Sequence, residues 1–563
     1  MINAIAVLGI RIERDIAIPM RDGVVLRANL FRPDAPGQYP ALIHRTPYGK
    51  TQSGLEDFVR AGYAVLSQDI RGRYASEGNF TLFTVPHTGD AEDGYDTVEW
   101  TAAQPWCNGK IGTYGASYDA WLQYQCAKLR PPHLEAMSAV SIPMELTDVD
   151  WPGAFKPARR VRWWFTTIAP DMRRRDGLPP PHTPAQARAI WDEIEKSSML
   201  GVVPWISIIP YLPPSLAEQV EDWLLNPARQ PWQFSQAHCE IAVPNLDFTG
   251  WYDHCCSIDH LAGMQRCARG QIAREGTQLV IGPWNHTNLG QRRQGAFHFG
   301  LNAQINIRQM QIRWFDYWLK CVDNGVDQEP PVRYYVMGAG KWREAVTFPP
   351  ENPSWQKYYL SSRGDAPIPK GSGALSLGPR HGSAVDTYVY DPRNPVPTLW
   401  DSALFYNISD RRKLDYRSDI LHYRTSPLEN EVEVIGKPEV VLYAGTSAPD
   451  TDFFVRLVDD DPEGPAAEVC YGMVRARHRL RLSTEELVQP RSIIRYRIRM
   501  GYTACVFRKG HRIRLEVCSS DFPNHDRNHN TGKNDLLDPE MKIAKQIVYH
   551  SLEYPSILLL PTL

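Results

Sequence analysis

Up to about residue 143 the chain alternates short apolar runs with helix-length stretches. The runs at 41–44, 63–68 and 110–114 predict buried strands, and the stretches at 92–103 and 121–129 predict helices, the alternation of an α/β domain. From 144 to 240 the strand-like runs stop, prolines and tryptophans accumulate, and helix-like segments occupy 185–197 and 216–225. An insertion between two strands of an α/β sheet lies over the edge where active sites form, so this segment is expected to be a helical cap. The strand pattern resumes at 241–249 and 278–281, with room between them for one crossover helix near 258–273. An amphipathic helix near 302–320 and a strand near 332–337 follow. A proline-rich passage at 348–353 marks a boundary. Beyond it, short runs at 432–435, 439–444, 453–458, 493–500 and 512–518, separated by turns, predict an all-β module. The expected organisation is an α/β domain in two parts, 1–143 and 241–350, a cap at 144–240, and a β domain at 351–563.

The sharpest local signal lies at residues 112–120, GTYGASYDA, between the strand at 110–114 and the helix beginning near 121. It puts Ser117 on a tight strand-to-helix turn with Gly115 and Ala116 as small neighbours, much as in the G-x-S-x-G nucleophile elbow. Asp119 stands where that motif has its last glycine. A serine there meets the helix N-terminus, whose dipole and free N–H groups favour developing negative charge. The alternative is an ordinary helix-capping serine. The strand at 241–249 leads to Gly250, Trp251, Tyr252 and Asp253, which places Asp253 at a strand's C-terminal edge. After 278–281 come Gly282 and Pro283, which should turn the chain off the sheet into a loop carrying His286. Serine, aspartate and histidine thus occur in the chain order this architecture requires. A serine hydroxyl needs an adjacent imidazole to take its proton, and an aspartate holds that imidazole in the right tautomer.

Motifs along nearly the whole chain resemble the CocE/NonD family of serine hydrolases, the cocaine esterase / X-prolyl dipeptidyl-peptidase group. They are MRDGV at 20–24, LFRP at 30–33, RTPYGK at 45–50, QDIRGR at 68–73, SEG at 76–78, GASY at 115–118, GWYD at 250–253, GPWNH at 282–286, APDTDF at 448–453 and SSDFP at 519–523. The resemblance implies an α/β-hydrolase domain with an inserted cap and a C-terminal jelly roll. It also implies Ser117 as nucleophile, His286 as general base, Asp253 as the orienting acid, and an oxyanion hole made by the Tyr48 hydroxyl and the Tyr118 backbone N–H. Independently, Tyr48 lies on the turn after the strand at 41–44, which would let a phenol face the serine; its alternative is a packing tyrosine. Ala120 replaces a glycine usual in the family. The hydrolase pattern begins by Arg14, unlike the X-prolyl peptidase branch with its added N-terminal domain. His254, Cys255 and Cys256 follow Asp253, where the amino-ester branch has carboxylates. An ester hydrolase or amide acylase is the reading left, with a catalytically decayed binding module as the rival of another class.

Composition narrows the partners. The 563 residues exceed one core, and a formal net charge of −2 gives no electrostatic case for nucleic acid or an anionic membrane. No apolar run reaches the roughly 18 to 20 residues of a membrane span, and the short apolar opening lacks a basic flank, so it does not read as a signal peptide. The 10 cysteines have no zinc-ligand spacing and fit a reducing cytoplasm. No cofactor or metal is expected. The expected partner is a small ester or amide, and a homo-oligomer is left open. In the cap, Trp151, Trp163, Trp164 and Phe165 are candidates for an apolar substrate pocket, against simple packing. The basic run Lys156, Arg159, Arg160, Arg162, Arg173, Arg174 and Arg175 is either a solvated helix face or a carboxylate-recognition site.

Overall fold

The computed structural model describes residues 4–7, 9–83, 88–141, 159–197, 204–226, 234–253, 256–379, 385–399 and 408–562. The first seven strands are β1 (Ala4–Val7), β2 (Ile10–Pro19), β3 (Val25–Pro33), β4 (Tyr39–Thr46), β5 (Ala64–Asp69), β6 (Cys107–Ala116) and β7 (Leu134–Val140). They form a sheet in the order β1-β2-β3-β5-β4-β6-β7. After the cap come β8 (Leu246–Tyr252) and β9 (Gln278–Asn285), then the short pair β10 (Arg293–Gln294) and β11 (Phe297–His298), and finally β12 (Val332–Val336) and β13 (Lys341–Ala345). A second group is ordered β8-β9-β12-β13.

The two groups meet between β7 and β8, where side chains replace most of the backbone ladder. Met137 bridges Asn245 in parallel. Beside it the Asn245 side chain accepts from Ala139 N at 2.7 Å, the Asp247 carboxylate accepts from Ser141 N at 2.9 Å, and the Ser138 hydroxyl donates to Leu246 O at 3.0 Å. The strands are therefore parallel from β5 through β4, β6, β7, β8 and β9 to β12. β5, β8 and β9 are buried along their whole length, as strands covered on both faces must be. The helices Asp90–Ala102, Tyr118–Ala127 and Cys256–Cys267 contribute Val98, Leu122 and Met264 to one core. Helix Ile307–Lys320 contributes Ile312, Phe315 and Leu319 to another.

Several expected elements shift. The strand expected at 241–249 begins at Leu246, after a 3₁₀ turn, His238–Glu240, and Pro244, which has no N–H for a ladder. The single crossover helix is two, Cys256–Cys267 and Gln271–Gly276, separated at Gly270 with φ +91°. The expected exit of the chain at Gly282 and Pro283 does not occur, and β9 runs on to Asn285. Its register with β8 slips by one residue there, Gly250 pairing Gly282 and Tyr252 pairing Asn285, so a β-bulge absorbs the proline. The bulge presses on Gly250, where an added Cβ would fall 2.0 Å from Trp284 O. The helix near 302–320 starts at Ile307, capped by the Asn306 side chain accepting from Gln309 N.

Within the described part of 144–240 every regular element is helical: Arg159–Trp163, a π-helical turn Trp164–Ile168, Ala169–Arg175, Pro184–Ser197, Trp205–Tyr211, Pro214–Leu225, Phe234–Ala237 and His238–Glu240. From Ser354 onward the chain is β-rich, building a 13-stranded sheet that ends with Ile557–Thr562. This part packs on the strand edge that carries Asp253. The Tyr252 hydroxyl donates to Glu468 O at 3.1 Å, and Trp251 and Tyr252 belong to its hydrophobic core. Phe522, from the SSDFP motif, enters the core shared by the cap and the first sheet.

Candidate active site

Parallel strands deliver their following residues to one edge, and the candidate residues collect there. Tyr48 follows β4, Ser117 follows β6, and Asp253 and His286 directly follow β8 and β9. Ser117 has φ +62° and ψ −121°, a conformation costing a non-glycine residue on the order of 1–3 kcal/mol. It occupies the N-cap of helix Tyr118–Ala127, yet its side chain makes no capping hydrogen bond. The capping alternative therefore loses its defining contact. The backbone holds the turn instead: Ser117 N donates to Val140 O, and Ser117 O accepts from Ala120 N and Trp121 N, each at 2.9–3.0 Å. Gly115, at φ +146°, cannot carry a side chain, because a Cβ would come 2.6 Å from Asp119 Cβ. Ala120 is fully buried in the core behind the turn.

The His286 ring places Nδ1 3.0 Å from Asp253 Oδ1, with the carboxylate side chain wholly buried and the imidazole 11% exposed. That bond fixes the ring's orientation and leaves Nε2 as the nitrogen that can work on a hydroxyl. A second histidine–carboxylate pair lies close to the turn, His44 Nε2 with Asp119 Oδ2 at 2.7 Å. Its other nitrogen, Nδ1, is 3.2 Å from Ser67 Oγ. Both nitrogens of His44 are thus engaged, which suits it poorly to act as a base.

The Tyr48 ring packs edge-on against Tyr118 at 6.4 Å. The loop carrying it is anchored on all sides: Tyr48 N donates to Thr46 Oγ1, Arg73 Nε to Pro47 O, and Lys50 N and Nζ to Asp69 at 2.6 and 2.7 Å. Burial pushes the Tyr48 phenol above its ordinary pKa, and the Asp119 charge pushes the same way. The Trp163 side chain lies close to the phenol.

The cap residues separate. Trp163 lies near Tyr48 and Phe83, 5.9 Å from the Phe83 ring, which itself stands 4.9 Å from Tyr118. Trp164 is buried against Trp223 at 5.0 Å, and Phe165 packs on Trp191 at 5.8 Å, both inside the cap. Trp151 and Lys156 lie outside the described residues, as do His254 and Cys255. Within the basic run, Arg174 and Arg175 dock the cap on residues 74–78. Arg174 binds Asp171 and Tyr74 O, Arg175 binds Ser76 O and Gly78 O, Arg173 binds Pro179 O, and Arg160 lies over the Trp163 ring at 5.1 Å. Neither the approach of Trp163 to Tyr48 nor the His44–Asp119 pair was legible in the sequence. For the pair a signal existed: a carboxylate two residues after the nucleophile, where the motif has glycine, opposite a histidine four residues before Tyr48.

A doubly wound sheet with a strained serine turn and a buried carboxylate–imidazole pair at its strand ends defines an α/β-hydrolase, and the chain is a serine hydrolase. The model of the X-Pro dipeptidyl-peptidase (S15) family matches residues 22–288, and that of the X-Pro dipeptidyl-peptidase C-terminal non-catalytic domain matches 324–559. A cocaine esterase of Rhodococcus sp. (strain MB1 Bresler) is 34% identical over 98% of both chains. The chain belongs to this cocaine esterase / S15 family. Among solved structures, an α-amino acid ester hydrolase superposes with a TM-score of 0.79 at 24% identity, covering 99% of this chain and 97% of that one. An aminopeptidase from a marine sediment Thaumarchaeota archaeon gives 0.78 at 24% identity, covering 97% and 95%. Both share the fold. Among the described residues no helix is long and apolar enough to cross a membrane.

Proposed function

We propose that this chain cleaves a carboxylic ester, with an amide as the alternative substrate, through an acyl-enzyme on Ser117. His286 Nε2 takes the Ser117 proton as Oγ attacks the acyl carbon. Asp253 keeps Nδ1 protonated and stabilises the imidazolium that results. The oxyanion is met by the Tyr48 hydroxyl and the Tyr118 N–H at the helix start. His286 then protonates the leaving group, and a water activated by the same imidazole releases the acid. The observation that carries this reading is the Ser117 turn, strained and without a capping bond, on the strand edge that also holds the His286–Asp253 pair.

Ester is placed first because the relative 34% identical is named an esterase; X-Pro peptide or acylase chemistry would use the same machinery. A decayed binding module is disfavoured, since every named group of the mechanism is in the chain. The division into 1–143 with 241–350 as the hydrolase unit, 144–240 as the cap and 351–563 as the β domain is part of this proposal, as is a cytoplasmic location, supported by the free cysteines. Among the described candidates of the cap, Trp163, beside Tyr48, is the one best placed to touch an acyl group. The test is turnover of p-nitrophenyl acetate with fluorophosphonate labelling: Ser117→Ala should abolish both. Labelling at another serine of the intact protein would overturn the assignment.

A further inference from the structure

We propose that His44 and Asp119 form a positioning strut that sets the spacing between the nucleophile turn and the oxyanion loop. Asp119 is two residues after Ser117, on the helix whose first N–H is assigned to the oxyanion hole, and His44 is four residues before Tyr48, near the end of β4. Their 2.7 Å hydrogen bond joins the two elements that must present the two oxyanion donors to one atom. The pair is largely buried, with side-chain exposures of 15% and 10%. The turn itself is built on it: a Cβ at Gly115 would meet Asp119 Cβ at 2.6 Å and His44 Cδ2 at 3.3 Å. Tyr114, just before the turn, stacks on the His44 ring at 5.2 Å and 20°.

The strut continues past His44. Thr51 N donates to Ser67 Oγ at 2.8 Å, and Ser67 Oγ lies 3.2 Å from His44 Nδ1. The Asp119 carboxylate only accepts, so His44 Nε2 donates to it, and Ser67 Oγ, which accepts from Thr51 N–H, closes the network at Nδ1. One hydrogen-bonded chain therefore runs from the far end of the Tyr48 loop, through β5 and β4, to the nucleophile helix. With both nitrogens engaged, His44 does not take the serine proton, and its effect on catalysis passes through the geometry of Tyr48 and Tyr118. Misplacing a reacting group by about 1 Å can cost on the order of 10²-fold in rate, so a strut at this position controls kcat rather than binding.

The inference rests on the Ser117 and Tyr48 assignments above. It is tested by kcat per fluorophosphonate-titrated site on an ester whose acylation is rate-limiting. Asp119→Ala and His44→Ala should each lose about tenfold or more in kcat, with KM nearly unchanged, and the double variant should lose no more than either alone. Asp119→Asn keeps an acceptor and should stay near wild type. In a Tyr48→Phe background the Asp119→Ala loss should shrink, which a purely structural role would not produce. Wild-type kcat in both alanine variants, or an undiminished loss in the Tyr48→Phe background, would overturn the strut. Should the alanine variants fail to fold, Ser67→Ala takes their place: it cuts the chain to Thr51 and should lower kcat, and an unchanged kcat would overturn the proposal. Failure of the strut leaves Ser117 labelling intact, whereas failure of the Ser117 assignment does not.

Discussion

Replacing Tyr48 by phenylalanine keeps the ring against Tyr118 and removes one hydroxyl, so it isolates the oxyanion donor. Loss of one such donor typically costs about 10² to 10³ in kcat, or about 2.7 to 4 kcal/mol. A free phenol, with a pKa of about 10, would argue for the upper part of that range. The protein moves the group the other way. Burial, with Asp119 adding to it, raises the Tyr48 pKa, and the charge of Arg160 only partly opposes this. That shift reflects the cost of burying a phenolate and leaves the neutral O–H a full donor, so the expected loss stays within the range, at least about 10² or about 2.7 kcal/mol. The assay must report kcat per site titrated with a fluorophosphonate, on an ester whose acylation is rate-limiting, so that unfolded protein does not count as lost catalysis. The deficit should fall on kcat and leave KM nearly unchanged, because the bond strengthens only as the tetrahedral intermediate forms. Retention of more than about a tenth of wild-type kcat would refute the argument and assign the hole to backbone amides alone.

Asp253→Asn should leave folding and KM close to wild type while lowering kcat by roughly 10⁴, since the amide favours the wrong imidazole tautomer; a destabilised protein with normal activity per titrated site would make Asp253 structural. Asp247, at the β7–β8 seam, has its pKa raised to about 7 by burial, with the Asp253 charge pushing the same way. In the unfolded chain it titrates near about 4, so the folded state holds the extra proton between those values and stability falls as pH rises through that window. Asp247→Asn does not titrate and should gain on wild type from pH 4 to 7 by up to about 1.4 kcal/mol per pH unit, measured by urea unfolding. A difference that is flat or shrinks with rising pH would refute the assignment.

Local chemistry alone determined much of this protein. Apolar runs ending in small or turn-forming residues specify strands whose ends carry function, and Gly115 before Ser117 specifies a turn that any side chain at that position would block. Strand period and turn chemistry act over a few residues, so the positions of Tyr48, Ser117, Asp253 and His286 at strand ends were legible, as was the β-rich character beyond residue 351. What depended on a neighbouring strand or a docked segment was not. Pro283 looked like the end of a strand, and only pairing with β8 at Gly250 lets the chain absorb it as a bulge. The arginines of the cap looked like a solvated face or an anion site, and three of them instead hold carbonyls and a carboxylate. His44 and Asp119 are 75 residues apart, and Trp163 reaches Tyr48 from an inserted segment. Such pairs are set by sheet register and cap docking, which are properties of the packed whole, and no window of sequence contains both partners.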